Sequence, residues 1–289
     1  MIWLATAICA SIGFIQIIRW TQHAGGSAAV VGWVNYMLAG LFFVTAFMVV
    51  SPSVLHWPVI GLGIATGVLY INNYFLISAV VRRAGLGVTG ATMALAVVMP
   101  VAISIGFGDP WMNKMPGLIT AVLAVPLVAA ARTAMRGGKQ TVSGWRRALW
   151  VLGLFVAIGL ENTLIKVARE VGMEGFERCY LPALFSVAAV GTALVVLWTR
   201  VKVRSGDVVR GLLLGSCNIL ANYMFALAVH HLAGPVVFPL RLIGIVIGTT
   251  VLGRILWGER LNRVGRMGLA LSIIAMILIV FADSISLRG

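Results

Sequence analysis

Long apolar runs alternate with short polar connections along the whole chain, and this pattern predicts ten membrane-spanning helices. Each run has about 20 residues, the length that an α-helix needs to cross the hydrocarbon core of a bilayer. A β-barrel would show short segments of alternating polarity, whereas these runs are continuous. The chain is therefore predicted to be an all-α polytopic membrane protein. The predicted spans are roughly 2–20, 30–50, 58–80, 86–107, 115–131, 147–168, 179–198, 209–229, 235–256 and 265–283.

One pattern occurs in both halves of the chain: Asn-Tyr, four residues, Ala-Val, four residues, Gly, beginning at Asn73 and again at Asn222. Self-similarity at so long a period predicts two related halves. We assign residues 1–135 to a first five-helix repeat, 136–145 to a polar linker and 146–289 to a second five-helix repeat. Because five is odd, the second repeat must enter the membrane facing the other way. That is the inverted-repeat plan of many secondary transporters.

The charge distribution supports a membrane location. Only 10% of the residues are charged and 61% are hydrophobic, whereas about a quarter are charged in a soluble domain. A net charge of +14 could indicate a protein that binds nucleic acid, but here the basic residues lie between the apolar runs. Sixteen Lys and Arg residues follow the odd-numbered spans and five lie on the opposite face. The positive-inside rule then places the sixteen-charge face in the cytoplasm and both termini outside. We expect a bacterial-type inner membrane, the lipid bilayer as partner and no nucleic acid.

Two charged side chains fall well inside apolar runs: Glu161 in the sixth span and Arg241 in the ninth. A charge at that depth costs several kcal/mol and usually faces a partner or a water-filled cavity. One interpretation is a mutual ion pair with a structural role. The other is that Arg241 binds an anionic group of a substrate, while Glu161 takes a proton or a cationic group. The sequence leaves both open.

Amides and phenols are concentrated in the same spans. Within a bilayer such groups either hydrogen-bond between helices or contact a ligand. The equivalent Asn-Tyr positions in the two halves favour a ligand cavity, since an inverted duplication places them around one central axis. Glu161 is also the predicted proton-coupling residue. The predicted substrate-binding residues are Tyr70, Asn73, Tyr74, Glu161, Asn162, Asn218, Asn222, Tyr223 and Arg241.

Catalytic chemistry has little support in the sequence. The eight acidic residues form no DxxD pair, and neither HExxH nor GxSxG occurs. The three cysteines, Cys9, Cys179 and Cys217, lack the spacing of metal ligands. We therefore expect no enzyme, no metal and no cofactor. A flippase for a glycolipid or lipid-linked substrate is the alternative function, and an integral membrane enzyme is a more distant one.

The turn Gly258-Glu259-Arg260-Leu261, followed by Arg263, Gly265 and Gly268, is similar to the GERL turn that ends an EamA repeat. The segment from Asn162 to Lys166 resembles the family's lysine at the close of the first helix of a repeat. The chain thus resembles the EamA-type ten-helix members of the drug/metabolite transporter superfamily, although Gly108-Asp109-Pro110 replaces the acidic turn in the first half.

This resemblance implies secondary transport of a small metabolite or drug-like solute across the inner membrane by alternating access. The substrate would occupy a cavity between the repeats. We expect an exporter, with protons as a coupling ion, working as a monomer or homodimer. The resemblance assigns Glu259 and Arg260 to the closure of a turn at the membrane edge and not to substrate binding.

Overall fold

The computed structural model describes residues 2–50, 56–106, 115–130, 133–134, 144–172, 176–231 and 234–286. Nearly all of these residues are helical. One two-residue pair, β1 (Thr133–Ala134) with β2 (Arg260–Leu261), is extended. The helices in these ranges are α1 (Ile2–His23), α2 (Ala28–Val50), α3 (Trp57–Ala84), α4 (Leu86–Leu95), α5 (Val98–Gly106), α6 (Met115–Ala130), α7 (Gly144–Gly172), α8 (Glu177–Thr199), α9 (Ser205–His231), α10 (Gly234–Trp257) and α11 (Arg263–Ser286).

Six helices in the described ranges are long and apolar enough to cross a membrane. They are α1, α2, α3, α7, α8 and α9. This agrees with the predicted class, an all-α polytopic membrane protein. Residues 136–143 of the predicted polar linker lie outside the described residues. Its last two residues, 144 and 145, belong to α7.

The fourth predicted span is not one helix. Residues 86–107 were expected to be continuous, but α4 ends at Leu95 and α5 begins at Val98. The backbone N–H groups of Val97 and Met99 bond to carbonyls three residues back, so the chain makes a tight turn here. Pro100 explains the break, because a proline has no N–H to donate to the carbonyl four residues earlier and its ring collides with that group.

The core lies between the two halves of the chain. Helix α2 packs against α8 and α9, α3 packs against α7 and α8, α1 packs against α9, and α6 packs against α11. Leu184 and Phe185 of α8 are fully buried at the centre of this interface, together with Tyr74 of α3. Every helix pair named here joins the first half to the second. A site in the core is therefore built from both halves.

Pairs of glycines let these helices approach closely. Gly63 and Gly67 lie on the face of α3 that packs against α8, where a Cβ added at Gly67 would stand 2.6 Å from the carbonyl oxygen of Leu184. Gly211 and Gly215 have the same role on α9, against the backbone and side chains of α2. Small residues at such crossings allow backbones to pack in contact.

Replacing Gly67 by alanine is expected to lower the free energy of unfolding by about 1–3 kcal/mol, since the methyl group overpacks the α3–α8 contact. Thermal unfolding in detergent measures the change. Gly61→Ala is the matched control, because Gly61 lies on the same helix with nothing within 4 Å of its added Cβ. Equal stability of the two variants would contradict the close contact.

Candidate functional site

The centre of the site is a contact between α3 and α7. Tyr70 and Asn73 lie one turn apart on α3, so both side chains project from one helix face. The buried amide of Asn73 donates to the carboxyl group of Glu161 and, over 3.4 Å, to the carbonyl oxygen of Ala157. Tyr70 also lies close enough to Glu161 for the two side chains to interact electrostatically. The structure thus brings three of the predicted residues together.

The Asn73 amide is only half satisfied. Its Oδ1 atom is buried, and no donor to it is found within the described ranges. Buried polar atoms are nearly always hydrogen-bonded, so an orphaned acceptor next to a carboxyl group calls for a water or a ligand. A water or ligand that donates a hydrogen bond can therefore bind to the Oδ1 atom of Asn73.

Arg241 approaches the same region from α10. Its guanidinium carbon lies 3.8 Å from the centroid of the Phe225 ring, a close cation–π contact between α10 and α9. Its Nε atom is buried and has no hydrogen-bond partner among the residues described. We call Tyr70, Asn73, Glu161, Phe225 and Arg241 the central cluster.

The two buried charges do not pair with each other. In the part of the chain that the structure covers, no ion pair joins Glu161 to Arg241. Tyr70 interacts electrostatically with both of them. Of the two interpretations left open by the sequence, the mutual ion pair is therefore not the arrangement observed.

These side chains lie deep in the bundle but are not sealed. Glu161, Tyr70 and Arg241 are surrounded by protein, yet each keeps part of its surface accessible. The central cluster therefore lies deep in the bundle and is still partly accessible.

Tyr74 lies on a different face of α3 from its neighbour Asn73. Its hydroxyl donates to the carbonyl oxygen of Ala28 over 2.9 Å, and its ring fills the space opposite Gly32. The side chain is buried between α3 and α2. In this structure it contributes to helix packing, outside the central cluster.

The amides of α9 form an interhelical chain. Asn222 donates to the Oδ1 atom of Asn218 over 2.9 Å, and Asn218 donates to the Oδ1 atom of Asn35 on α2 over 3.1 Å. Tyr223 is 47% exposed and packs its edge against Phe42. Within the described ranges, none of these three predicted residues forms a hydrogen bond with Glu161 or Arg241. Asn162 is half-buried beside Glu161 on α7.

One buried pair was missed by the sequence analysis. The carboxylate of Glu259, between α10 and α11, lies 3.5 Å from a guanidinium nitrogen of Arg19 and accepts the N–H of Leu86 over 2.8 Å. Glu259 thus caps the start of α4 in the other half of the chain, beyond the local turn closure that was predicted for it. Burial raises the pKa of Glu259 in spite of these two partners. The only sequence signal was the position of Glu259 in the GERL-like turn.

Comparison with known proteins supports the fold of the chain and identifies no family. No protein-family profile matches the chain. An uncharacterized protein of Haemophilus influenzae is 25% identical over 227 residues, which are 77% of this chain and 76% of that protein. A solved crystal structure superposes with a TM-score of 0.58 at 14% identity and covers 98% of both chains. At this identity the likeness concerns the fold alone, and it extends over nearly the whole length of the chain.

Proposed function

We propose that this protein is a secondary transporter that moves a small solute with an anionic group across a bacterial-type inner membrane by alternating access. The observation that carries the proposal is Arg241, a guanidinium deep in the bundle with no carboxylate partner in the described ranges. An uncompensated charge at that depth costs several kcal/mol. An anionic ligand bound at the central cluster would neutralise the guanidinium of Arg241 and so remove this cost.

Two inverted repeats are supported by the way the helices pack. By chain order, α1, α2 and α3 of the first half correspond to α7, α8 and α9 of the second. If each helix is replaced by its counterpart in the other half, the contact α3–α8 becomes α9–α2, and the contact α3–α7 becomes α9–α1. The structure contains all four of these contacts. The glycine pairs at Gly63 and Gly67 and at Gly211 and Gly215 lie at two of these exchanged contacts. Alternating access would follow from movement of one repeat against the other.

Glu161 is the proposed coupling group. It is the acidic member of the central cluster and accepts a hydrogen bond from the amide of Asn73, which a carboxyl oxygen can do in either protonation state. Loading and release of a proton at this carboxyl would link solute movement to a pH gradient. The resemblance of the Gly258–Leu261 turn to EamA transporters supports efflux as the direction, and membership of the drug/metabolite transporter superfamily.

The test is a ligand-stabilisation screen of the purified protein with amino acids, organic acids, amines and sugar phosphates. A compound that binds only the folded state raises its apparent melting temperature. We expect protection by compounds with an anionic group and weaker protection by their neutral amide analogues. Arg241→Gln should weaken the binding of the anionic compounds by about ten- to a hundredfold, the value of a charge-assisted hydrogen bond.

Arg254→Gln is the matched control, because Arg254 lies on the same helix and is exposed. It should leave the protection unchanged. If Arg241→Gln keeps full binding of the anionic compounds, the role of Arg241 is refuted. If no compound protects the protein, or if a protecting compound does not cross the membrane of proteoliposomes, transport is refuted.

A further inference from the structure

A second cavity lies apart from the central cluster. Its volume is about 610 Å³, and its walls come from the turn between α1 and α2, the last three turns of α3 and one residue of α7. None of the central cluster residues lines it. It opens at the end of α3 that carries Arg82 and Arg83, the predicted cytoplasmic face.

Two arginines give this cavity a strong positive charge. Arg83 is held in place, because its guanidinium carbon lies 4.3 Å from the centroid of the Trp150 ring and one nitrogen donates to the carbonyl oxygen of Ala79 over 3.2 Å. Arg82 is exposed, and it forms no ion pair with any described residue. The lining residues include no Asp or Glu. The two neighbouring guanidinium groups therefore repel each other without a counter-charge.

The cavity wall also contains two amide side chains, of which one joins two helices and the other is exposed. Gln22 donates to the carbonyl and the hydroxyl oxygen of Ser78, and this joins α1 to α3 on one side of the cavity. The amide of Asn72 is exposed at the cavity wall. Guanidinium groups and amides in such a concave site suit a phosphate group, which offers several acceptor oxygens to planar donors.

We propose that this cavity binds a phosphate group, with Arg82 and Arg83 as its principal ligands. Two sources present that chemistry at this level of a membrane protein. One is the headgroup of an anionic phospholipid, since basic pockets between helices on the cytoplasmic side hold such headgroups. The other is a soluble phosphate ester.

The experiment measures thermal unfolding and native mass spectra of the purified full-length protein with three probes: phosphatidylglycerol, the matched diacylglycerol and glycerol 3-phosphate. We expect protection and bound adducts with phosphatidylglycerol or glycerol 3-phosphate, and none with diacylglycerol. Protection by the lipid alone identifies a headgroup site, and protection by glycerol 3-phosphate identifies a soluble ligand. Arg82→Gln with Arg83→Gln should weaken binding by about tenfold or more.

The control is Arg204→Gln with Arg254→Gln, which removes the same charge from exposed arginines outside the cavity. Arg82→Gln alone is measured as well, because it keeps the contact of Arg83 with Trp150 and so preserves the fold. Equal losses in the control pair, equal protection by diacylglycerol, or no adduct with either phosphate probe would overturn the site. Arg241→Gln should leave this binding intact, so that failure here is distinguishable from failure of the transport proposal.

Discussion

Replacement of Glu259 by alanine is expected to lower the free energy of unfolding by about 3–5 kcal/mol, the cost of breaking a buried ion pair from one side. Glu259 and Arg19 are both almost fully buried. The substitution leaves the guanidinium of Arg19 without its carboxylate and the N–H of Leu86 without its acceptor. Chemical unfolding in detergent, or the fraction of folded protein after purification, measures the loss.

A second set of variants separates the contribution of the Arg19–Glu259 ion pair from that of the hydrogen bond between Glu259 and the N–H of Leu86. Glu259→Gln keeps an oxygen for the N–H of Leu86 but removes the negative charge beside Arg19, so it should still be destabilising. Arg19→Met combined with Glu259→Gln removes both charges and should restore most of the stability. Additive losses in the double variant would contradict the coupling of the two residues.

The positions of the helices could be predicted because hydrophobic length is a local property of the sequence. The apolar run 58–80 lies within α3, and 147–168 lies within α7. Both helices are longer than the predicted spans, since their polar ends, such as Arg82 and Arg83 on α3, remain helical beyond the apolar region. The break in the fourth span was not predicted, because the turn depends on the hydrogen bonds of residues 96–99.

The rotation of each helix about its axis could not be predicted. The Asn-Tyr motif occurs in both halves, but the two copies meet different neighbours. Tyr74 is buried against α2, whereas its counterpart Tyr223 is 47% exposed. Asn73 reaches Glu161 on α7, whereas Asn222 bonds one turn back along its own helix. Equal spacing along two helices fixes which residues share a face, and packing decides what that face contacts.

The contacts between distant parts of the chain were the least accessible to sequence reasoning. Glu161 and Arg241 were the most conspicuous residues because charges are rare inside apolar runs. Their identity did not reveal that they form no ion pair with each other, since this depends on how α3, α7 and α10 pack. Arg19 and Glu259 lie near helix ends, where a charged side chain ordinarily reaches toward water. Their burial becomes evident only once the two halves are assembled.

Glu161→Gln should abolish the response of transport to a pH gradient while leaving solute binding measurable. The amide keeps the shape and hydrogen-bonding capacity of the carboxyl group, so the contacts with Asn73 and Tyr70 can persist. It cannot release or take up a proton. With one proton coupled per solute, a gradient of one pH unit supports up to about tenfold accumulation, the equilibrium ratio that corresponds to 1.4 kcal/mol. In the variant, the ratio of internal to external solute should fall to the value expected for facilitated diffusion without proton coupling.

The measurement is accumulation of a protecting compound in proteoliposomes with and without an imposed pH gradient. Glu177→Gln is the control, because Glu177 is half-buried in the first turn of α8 and takes no part in the central cluster. It should respond to the gradient as the wild type does. If Glu161→Gln accumulates solute under a gradient as well as the wild type, Glu161 is not the coupling group. Loss of binding in that variant would instead assign the carboxylate to recognition of the solute, because a coupling role alone requires that the empty site still accept it.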